Sequence, residues 1–174
     1  MSESLPKNAQ VVIIGGGVVG CSVAYHLAKL GYTDVVLLER KKLTSGTTWH
    51  AAGLIGQMRG SINLTQMVKY SGNLYEKLES ETGLATGFRR TGAVGIALNN
   101  ERMSEFKRNV SLSKVHGVEI HSLSPSEIKE KVAHFNVEDA VGGVWIPHDG
   151  KGDPTNIAMS LAIGAKNNGV KIFE

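Results

Sequence analysis

Residues Gly15-Gly16-Gly17-Val18-Val19-Gly20 fit the pattern G-x-G-x-x-G, and a carboxylate, Glu39, follows about 20 residues on. Glycines at these spacings bring a backbone against a pyrophosphate. Gly15 permits the tight turn, Gly17 lets the main chain approach the phosphates, and Gly20 lets the helix that follows pack closely on the strand before it. Free amides and the positive end of that helix then face the anion. Glu39 stands where a carboxylate accepts hydrogen bonds from ribose hydroxyls. It disfavours a 2′-phosphate, whose charge it would repel and which Arg40 would have to outweigh. The turn by itself leaves FAD and NAD unresolved.

A second run carries chemistry: Thr44-Ser45-Gly46-Thr47-Thr48-Trp49-His50-Ala51-Ala52-Gly53. Small hydroxyl residues and glycines placed just after the ribose-binding strand suit a loop laid along the pyrophosphate and ribityl chain of an extended flavin dinucleotide. An NAD-binding module has no need of such a loop there. The candidate cofactor-binding residues are therefore Gly15, Gly17, Gly20, Glu39, Arg40, Ser45, Gly46, Thr47, Thr48, His50, Ala51 and Gly53.

The elements that must position them are legible from periodicity. Val11 to Ile14 and Val35 to Leu38 are short, continuous apolar runs, the pattern of strands buried on both faces of a parallel sheet. Between them Val19, Val23, Leu27 and Leu30 recur at helical spacing, with Gly31 as the stop. Strand, helix and strand make a βαβ unit. Residues 41–60 show neither period and read as a long loop. A helix is expected through Met67 to about Thr82, then a strand from Phe88 to Leu98, and a helix capped by Asn100 and closed by Gly117. Val118 to Leu123 reads as a strand, Ser124-Pro125-Ser126-Glu127 as a capping box, and Val141 to Pro147 as a strand. Asp153-Pro154 starts a last helix, and Val170 to Phe173 a last strand.

The chain has 174 residues, 41% hydrophobic and 20% charged, which suits one soluble globular domain. Its formal charge of +3 is a small excess, so nucleic acid is not the expected partner. The run Arg40-Lys41-Lys42 reads as a solvated turn at a strand end. One cysteine, Cys21, cannot close an internal disulfide and is expected to pack as a small hydrophobe, which fits a reducing compartment. No apolar run reaches membrane-spanning length, and the polar start carries no secretory signal. A cytoplasmic protein is expected, or a processed one of the mitochondrial matrix if eukaryotic. No Cys/His cluster has ligand spacing, so no metal is expected. A doubly wound sheet of two or three strands leaves edges and apolar faces uncovered, so the chain reads as an N-terminal piece of a longer protein.

Five blocks together resemble a known family: Gly15 to Gly20; Leu37-Leu38-Glu39-Arg40; Thr48-Trp49-His50-Ala51-Ala52-Gly53-Leu54; Glu79-Ser80-Glu81-Thr82-Gly83; and Pro147-His148-Asp149-Gly150 with Asp153-Pro154. Over nearly its whole length the chain is similar to the FAD-dependent amine oxidoreductases of the D-amino-acid-oxidase type, dimethylglycine and sarcosine dehydrogenase branch. The resemblance implies an α/β fold: a Rossmann-like FAD-binding βαβ over residues 1–53, the start of an inserted α+β substrate domain over 54–147, and a return to the FAD-binding sheet over 148–174. It implies oxidation of an N-methyl amine, with hydride passing to flavin N5 and an iminium product that water or tetrahydrofolate captures. An electron-transfer flavoprotein is the implied acceptor.

In that branch the histidine matching His50 is joined to the flavin 8α-methyl, which is reasonable for a neutral imidazole held beside an electrophilic carbon. The alternative is a histidine that lines the flavin edge or caps the loop. Catalytic residues and any folate domain are expected beyond Glu174, so the 174-residue chain alone is not expected to turn over substrate. A non-catalytic regulatory subunit on the same scaffold is the rival reading, and retention of Trp49-His50 counts against it.

Overall fold

The computed structural model describes residues 4–174. Among them, strands β1 (Val11–Ile14), β2 (Val35–Leu38) and β8 (Lys171–Phe173) form a parallel sheet in the order β1-β2-β8. Register pairs Val11 with Val35 and Ile14 with Leu38 on one side of β2, and Val36 with Lys171 and Leu38 with Phe173 on the other. Helix α1 (Val18–Lys29) makes the crossover between β1 and β2. Helix α5 (Pro154–Asn167) leads back into β8 after Asp153, whose side chain accepts from Asn156 N at 2.9 Å. The expected βαβ unit and the return of the last strand to its sheet are both present.

Two details depart from the sequence pattern. Strand β1 is not buried on both faces: Val12 is 52% and Ile14 88% exposed, whereas Val35, Val36 and Leu37 of β2 are buried. The strands look alike in sequence, but β2 is flanked on both sides and β1 lies at the edge among the described residues. In α1 the buried face is also not the one carrying the larger apolar residues. Val19, Val23 and Leu30 are exposed, and Cys21, Ala24, Tyr25 and Ala28 are buried. Packing decides this, because α5 presents Ala158, Leu161, Ala162 and Ala165 on its buried side and sets Gly164 against the Tyr25 ring. Small residues on both helices allow close approach at interior packing density.

Helix α2 (Ile62–Thr82) starts earlier than its apolar period suggests. Its last turns join the first compact unit of the chain, which consists of the residues up to Gly53, Leu74–Phe88 and Gly152–Glu174. Tyr25 donates to Glu81 Oε2 at 2.6 Å, Lys29 lies 3.0 Å from the same carboxylate, and the Thr82 and Ser160 hydroxyls are 2.7 Å apart. The phenol, more than the lysine, holds the Glu81 carboxyl below its usual range.

The second compact unit consists of Leu54–Asn73 and Arg89–Lys151. Strands β4 (Ala93–Ala97), β5 (His121–Leu123) and β6 (Gly142–Ile146) form an antiparallel sheet in the order β4-β6-β5, and β3 (Leu54–Ile55) pairs with β7 (Gly150–Lys151). Helix α3 (Asn100–His116) is capped by Asn99, one residue before the cap expected at Asn100, and ends at Gly117 with φ +63°. Its Phe106 packs with Ala97 and Val144 in a small core. The capping box at Ser124 opens α4 (Pro125–Lys131), with Ser124 N donating to Glu127 Oε2 at 2.7 Å.

Candidate functional site: a glycine turn and the loop tied to it

In the first unit, β1 runs into a turn whose first glycine, Gly15, has φ +108° and donates its amide to Leu38 O at 2.8 Å. A side chain with a Cβ is disfavoured at that φ. At Gly20 the constraint is space instead: a Cβ there would overlap the Gly15 carbonyl oxygen, so only glycine lets α1 start this close to the turn. The cap residue of α1 is Gly17, with no side chain over the helix end. One amide of that end is covered, since Thr48 Oγ1 accepts from Val18 N at 2.9 Å.

Glu39 leaves the end of β2 and reaches back into the turn. Its Oε2 accepts from Gly16 N at 2.8 Å and its Oε1 from Lys41 N at 2.9 Å. These bonds, the Gly16 amide foremost, hold the carboxyl below its ordinary range. Arg40 is exposed beside it.

The segment after β2 is no free loop. Thr44, at φ +68° the one non-glycine residue with positive φ among those described, is buried and donates its amide to Gly16 O at 2.9 Å. A short 3-10 turn, Thr48–His50, follows where no helix was expected, and β3 begins at Leu54 where no strand was expected. Gly53, at φ +72°, accepts from Gly152 N at 2.9 Å, and a Cβ on it would overlap the Gly152 carbonyl oxygen. Three anchors, at Thr44, Thr48 and Gly53, therefore fix the segment. Between them Ser45, Gly46, Thr47, Trp49, His50 and Ala51 are exposed. The Trp49 and His50 rings lie 3.9 Å apart at 36°.

The structure thus brings Gly15, Gly17, Gly20, Glu39 and Thr48 together at one helix end and presents His50 outward on the anchored segment. Open backbone at glycine, a helix N-terminus with little side-chain cover and an ionised carboxylate form a donor and acceptor set that fits a dinucleotide: amides for the pyrophosphate, the carboxylate for a ribose.

A family model described as FAD dependent oxidoreductase matches residues 10–174. The chain belongs to that family. Among its relatives, human sarcosine dehydrogenase, a mitochondrial protein, is 47% identical over 174 residues, covering 99% of this chain and 19% of the relative. Dimethylglycine dehydrogenase of Rattus norvegicus is 45% identical over 93% of the chain and 19% of its own length. The mouse pyruvate dehydrogenase phosphatase regulatory subunit is 42% identical over 99% of the chain and 20% of its own length. The fold matches L-proline dehydrogenase from P. horikoshii with a TM-score of 0.90 at 32% identity, covering 98% of this chain and 45% of that one. The chain spans about one fifth of the length of the curated relatives it matches. No helix among the described residues is long and apolar enough to cross a membrane.

Sequence reasoning missed the contacts that explain two of the family-like blocks. In Glu79-Ser80-Glu81-Thr82-Gly83, Glu81 and Thr82 bind α1 and α5. In Pro147-His148-Asp149-Gly150, buried Asp149 accepts from Gln57 N at 2.6 Å and so fixes the chain just after β3. Burial pushes the Asp149 carboxyl above its ordinary range, against the opposing pull of the Gln57 amide and Arg59. Neither role has a local signal, because each partner lies more than 50 positions away.

Proposed function

We propose that the full-length protein oxidises an N-methyl amine such as dimethylglycine or sarcosine, with this chain holding FAD and carrying it covalently on His50. FAD, when bound, would supply the hydride acceptor for oxidation of the N-methyl carbon. The chain's own residues bind and orient: the turn from Gly15 to Gly20 faces the pyrophosphate, Glu39 takes a ribose hydroxyl, and Arg40, Ser45, Gly46, Thr47, Thr48, Ala51 and Gly53 line or shape the path. Residues 1–53 and 148–174 serve the dinucleotide, and 54–147 begin the substrate domain. An electron-transfer flavoprotein takes the electrons, and tetrahydrofolate is a candidate acceptor for the one-carbon product. In a eukaryote the protein works in the mitochondrial matrix.

The observation that carries this reading is the anchored segment from Thr44 to Gly53, tied to the glycine turn at two points and leaving the His50 imidazole exposed. An imidazole nitrogen so presented could bond to the flavin 8α carbon, the nitrogen giving up its N–H proton and the methyl a C–H proton, while the electron pair of the broken C–H bond would reduce the flavin ring and pass on to the same electron acceptor that serves turnover. The test is acid precipitation of the full-length protein. Flavin fluorescence should stay with the protein on a denaturing gel, and His50→Ala should release all of it while FAD still binds non-covalently. Complete loss of flavin from wild type on acid treatment would make His50 a lining residue.

A second reading, a regulatory subunit without turnover, is favoured by the similarity to the phosphatase regulatory subunit. Flavin retention without oxidation of dimethylglycine or sarcosine by the full-length protein would select it.

A further inference from the structure

The sequence contains one step in which asparagine is followed by glycine, Asn168-Gly169. It stands where α5 ends and the chain turns into β8. The turn is a Schellman motif: Gly169, at φ +95°, donates its amide to Lys166 O at 3.0 Å, and Val170 donates to Ala165 O at 3.1 Å. Asn168, the cap residue, adds a side-chain bond, its Nδ2 donating to Gly164 O at 2.7 Å. That amide satisfies one of the last carbonyls of the helix.

Asparagine before glycine carries a reaction of its own. The Gly169 backbone nitrogen attacks Asn168 Cγ and forms a new C–N bond. The Cγ–Nδ2 bond breaks, and the side-chain amide leaves as ammonia, taking the proton of the Gly169 N–H. Water then opens the cyclic imide at either carbonyl, which leaves aspartate or isoaspartate with no change of oxidation state. The attack goes fastest where the following residue has no Cβ to crowd it, and the space is open here: a Cβ on Gly169 would meet nothing nearer than Thr33, at 3.9 Å. Residues 166–169 are exposed, and the attacking amide is held by a single hydrogen bond to the final turn of α5, the part of a helix that frays first.

From the exposed Asn168-Gly169 step and the terminal turn that alone restrains it, we propose that Asn168 is a site of spontaneous deamidation and that the product loosens the junction between α5 and β8. The new carboxylate has no N–H for Gly164 O and puts a negative charge at the negative end of the helix. Isoaspartate also lengthens the backbone by one carbon ahead of Gly169, which disturbs the spacing that the Schellman bonds require. The strand that follows supports the candidate site, because Phe173 O accepts the Glu39 amide at 2.8 Å. The reaction needs only water and does not depend on the dinucleotide reading.

The test is to age the folded full-length protein at mildly alkaline pH, digest it, and map the peptides by mass spectrometry, with isoaspartate detected by enzymatic methylation. The peptide containing Asn168 should gain the mass that exchanging NH2 for OH brings and should carry isoaspartate, ahead of every other asparagine peptide. Asn168→Gln, whose longer side chain closes a less favoured ring, should abolish the change. Asn168→Asp should lower the thermal unfolding midpoint by roughly 2 °C. Aged wild type should drift towards that value, and aged Asn168→Gln should not. The proposal is overturned if Asn168 stays intact in folded protein while it converts in denatured protein, if other asparagines convert as fast, or if Asn168→Asp unfolds where wild type does.

Discussion

The glycine turn and the segment from Thr44 to Gly53 meet at the same helix end, yet they are held by different physics. The turn is fixed from within, by a positive φ at Gly15 and by the absence of a Cβ at Gly20, both consequences of residue type at a local spacing. The segment is fixed from outside, by bonds to Gly16, Val18 and Gly152. A motif read from sequence captures the first kind of constraint completely and the second hardly at all. The result is a turn of fixed backbone beside a segment that holds an exposed imidazole in a defined place.

That contrast breaks most sharply at two glycines. Gly20→Ala drives a Cβ into a backbone oxygen, which cannot give way as a flexible side chain would. It should destabilise the full-length protein by about 1–3 kcal/mol and abolish FAD retention. At Gly46 a Cβ would meet nothing within 4 Å, so Gly46→Ala should stay within about 0.5 kcal/mol of wild type. Thermal unfolding with and without FAD measures both. Equal effects at the two sites would mean that the turn is not the rigid partner.

Glu39 tests the join between cradle and ligand. Glu39→Ala should loosen FAD roughly tenfold in a titration of the apoprotein while the fold persists, since the bond to Gly16 is lost and, on the proposed function, so is a charge-assisted bond to a ribose hydroxyl. The pH dependence has a definite sign. Because folding depresses this carboxyl, its contribution to stability is present above the ordinary glutamate range and is lost as pH falls through the depressed value. Glu39→Gln should therefore flatten the acid side of the stability profile, and an unchanged acid limb would contradict the bond to Gly16.

The same division explains what the sequence reveals. The βαβ unit, the cap at Asp153, the capping box at Ser124 and the stop at Gly117 were all legible, because each rests on residue preferences within a few positions. The buried face of α1 was not, because α5 selects it from more than 100 residues away through small side chains that hydropathy undervalues. Nor were the 3-10 turn, Thr44 at positive φ, or the pairing of Asp149 with Gln57. At the candidate site the glycines and Glu39 could be given roles from spacing alone, and His50 only from resemblance.

A smaller effect is expected at Thr48, the point where segment and turn touch. Its Oγ1 covers the Val18 amide much as a helix N-cap would. Thr48→Val, nearly isosteric, should cost about 1 kcal/mol, and Thr48→Ser should restore most of it. Equal denaturation midpoints for the two variants would show that the hydroxyl contributes nothing.

The smallest change in stability, and the finest probe of the contrast, comes from Cys21 beneath the turn. Its side chain is fully buried, and its thiol donates to Gly16 O at 3.5 Å, the same oxygen that receives the Thr44 amide. Burial, with a lesser push from the Glu39 charge, raises the thiol from its ordinary 9.0 to about 11. Since the thiolate is the nucleophile, that shift alone leaves about a hundredfold less of it at pH 8 than in the unfolded chain. Iodoacetamide should therefore modify Cys21 in native protein at least that much more slowly than in denaturant, with lost access slowing it further. Stability linked to this group should be flat below pH 9 and fall as pH rises from there toward 11, because the unfolded thiol ionises first. Cys21→Ser, which preserves a donor to Gly16 O, should remove that alkaline decline while leaving FAD retention intact. If native protein is alkylated as fast as denatured protein, the turn opens on the timescale of the reaction and is not the rigid half of the site.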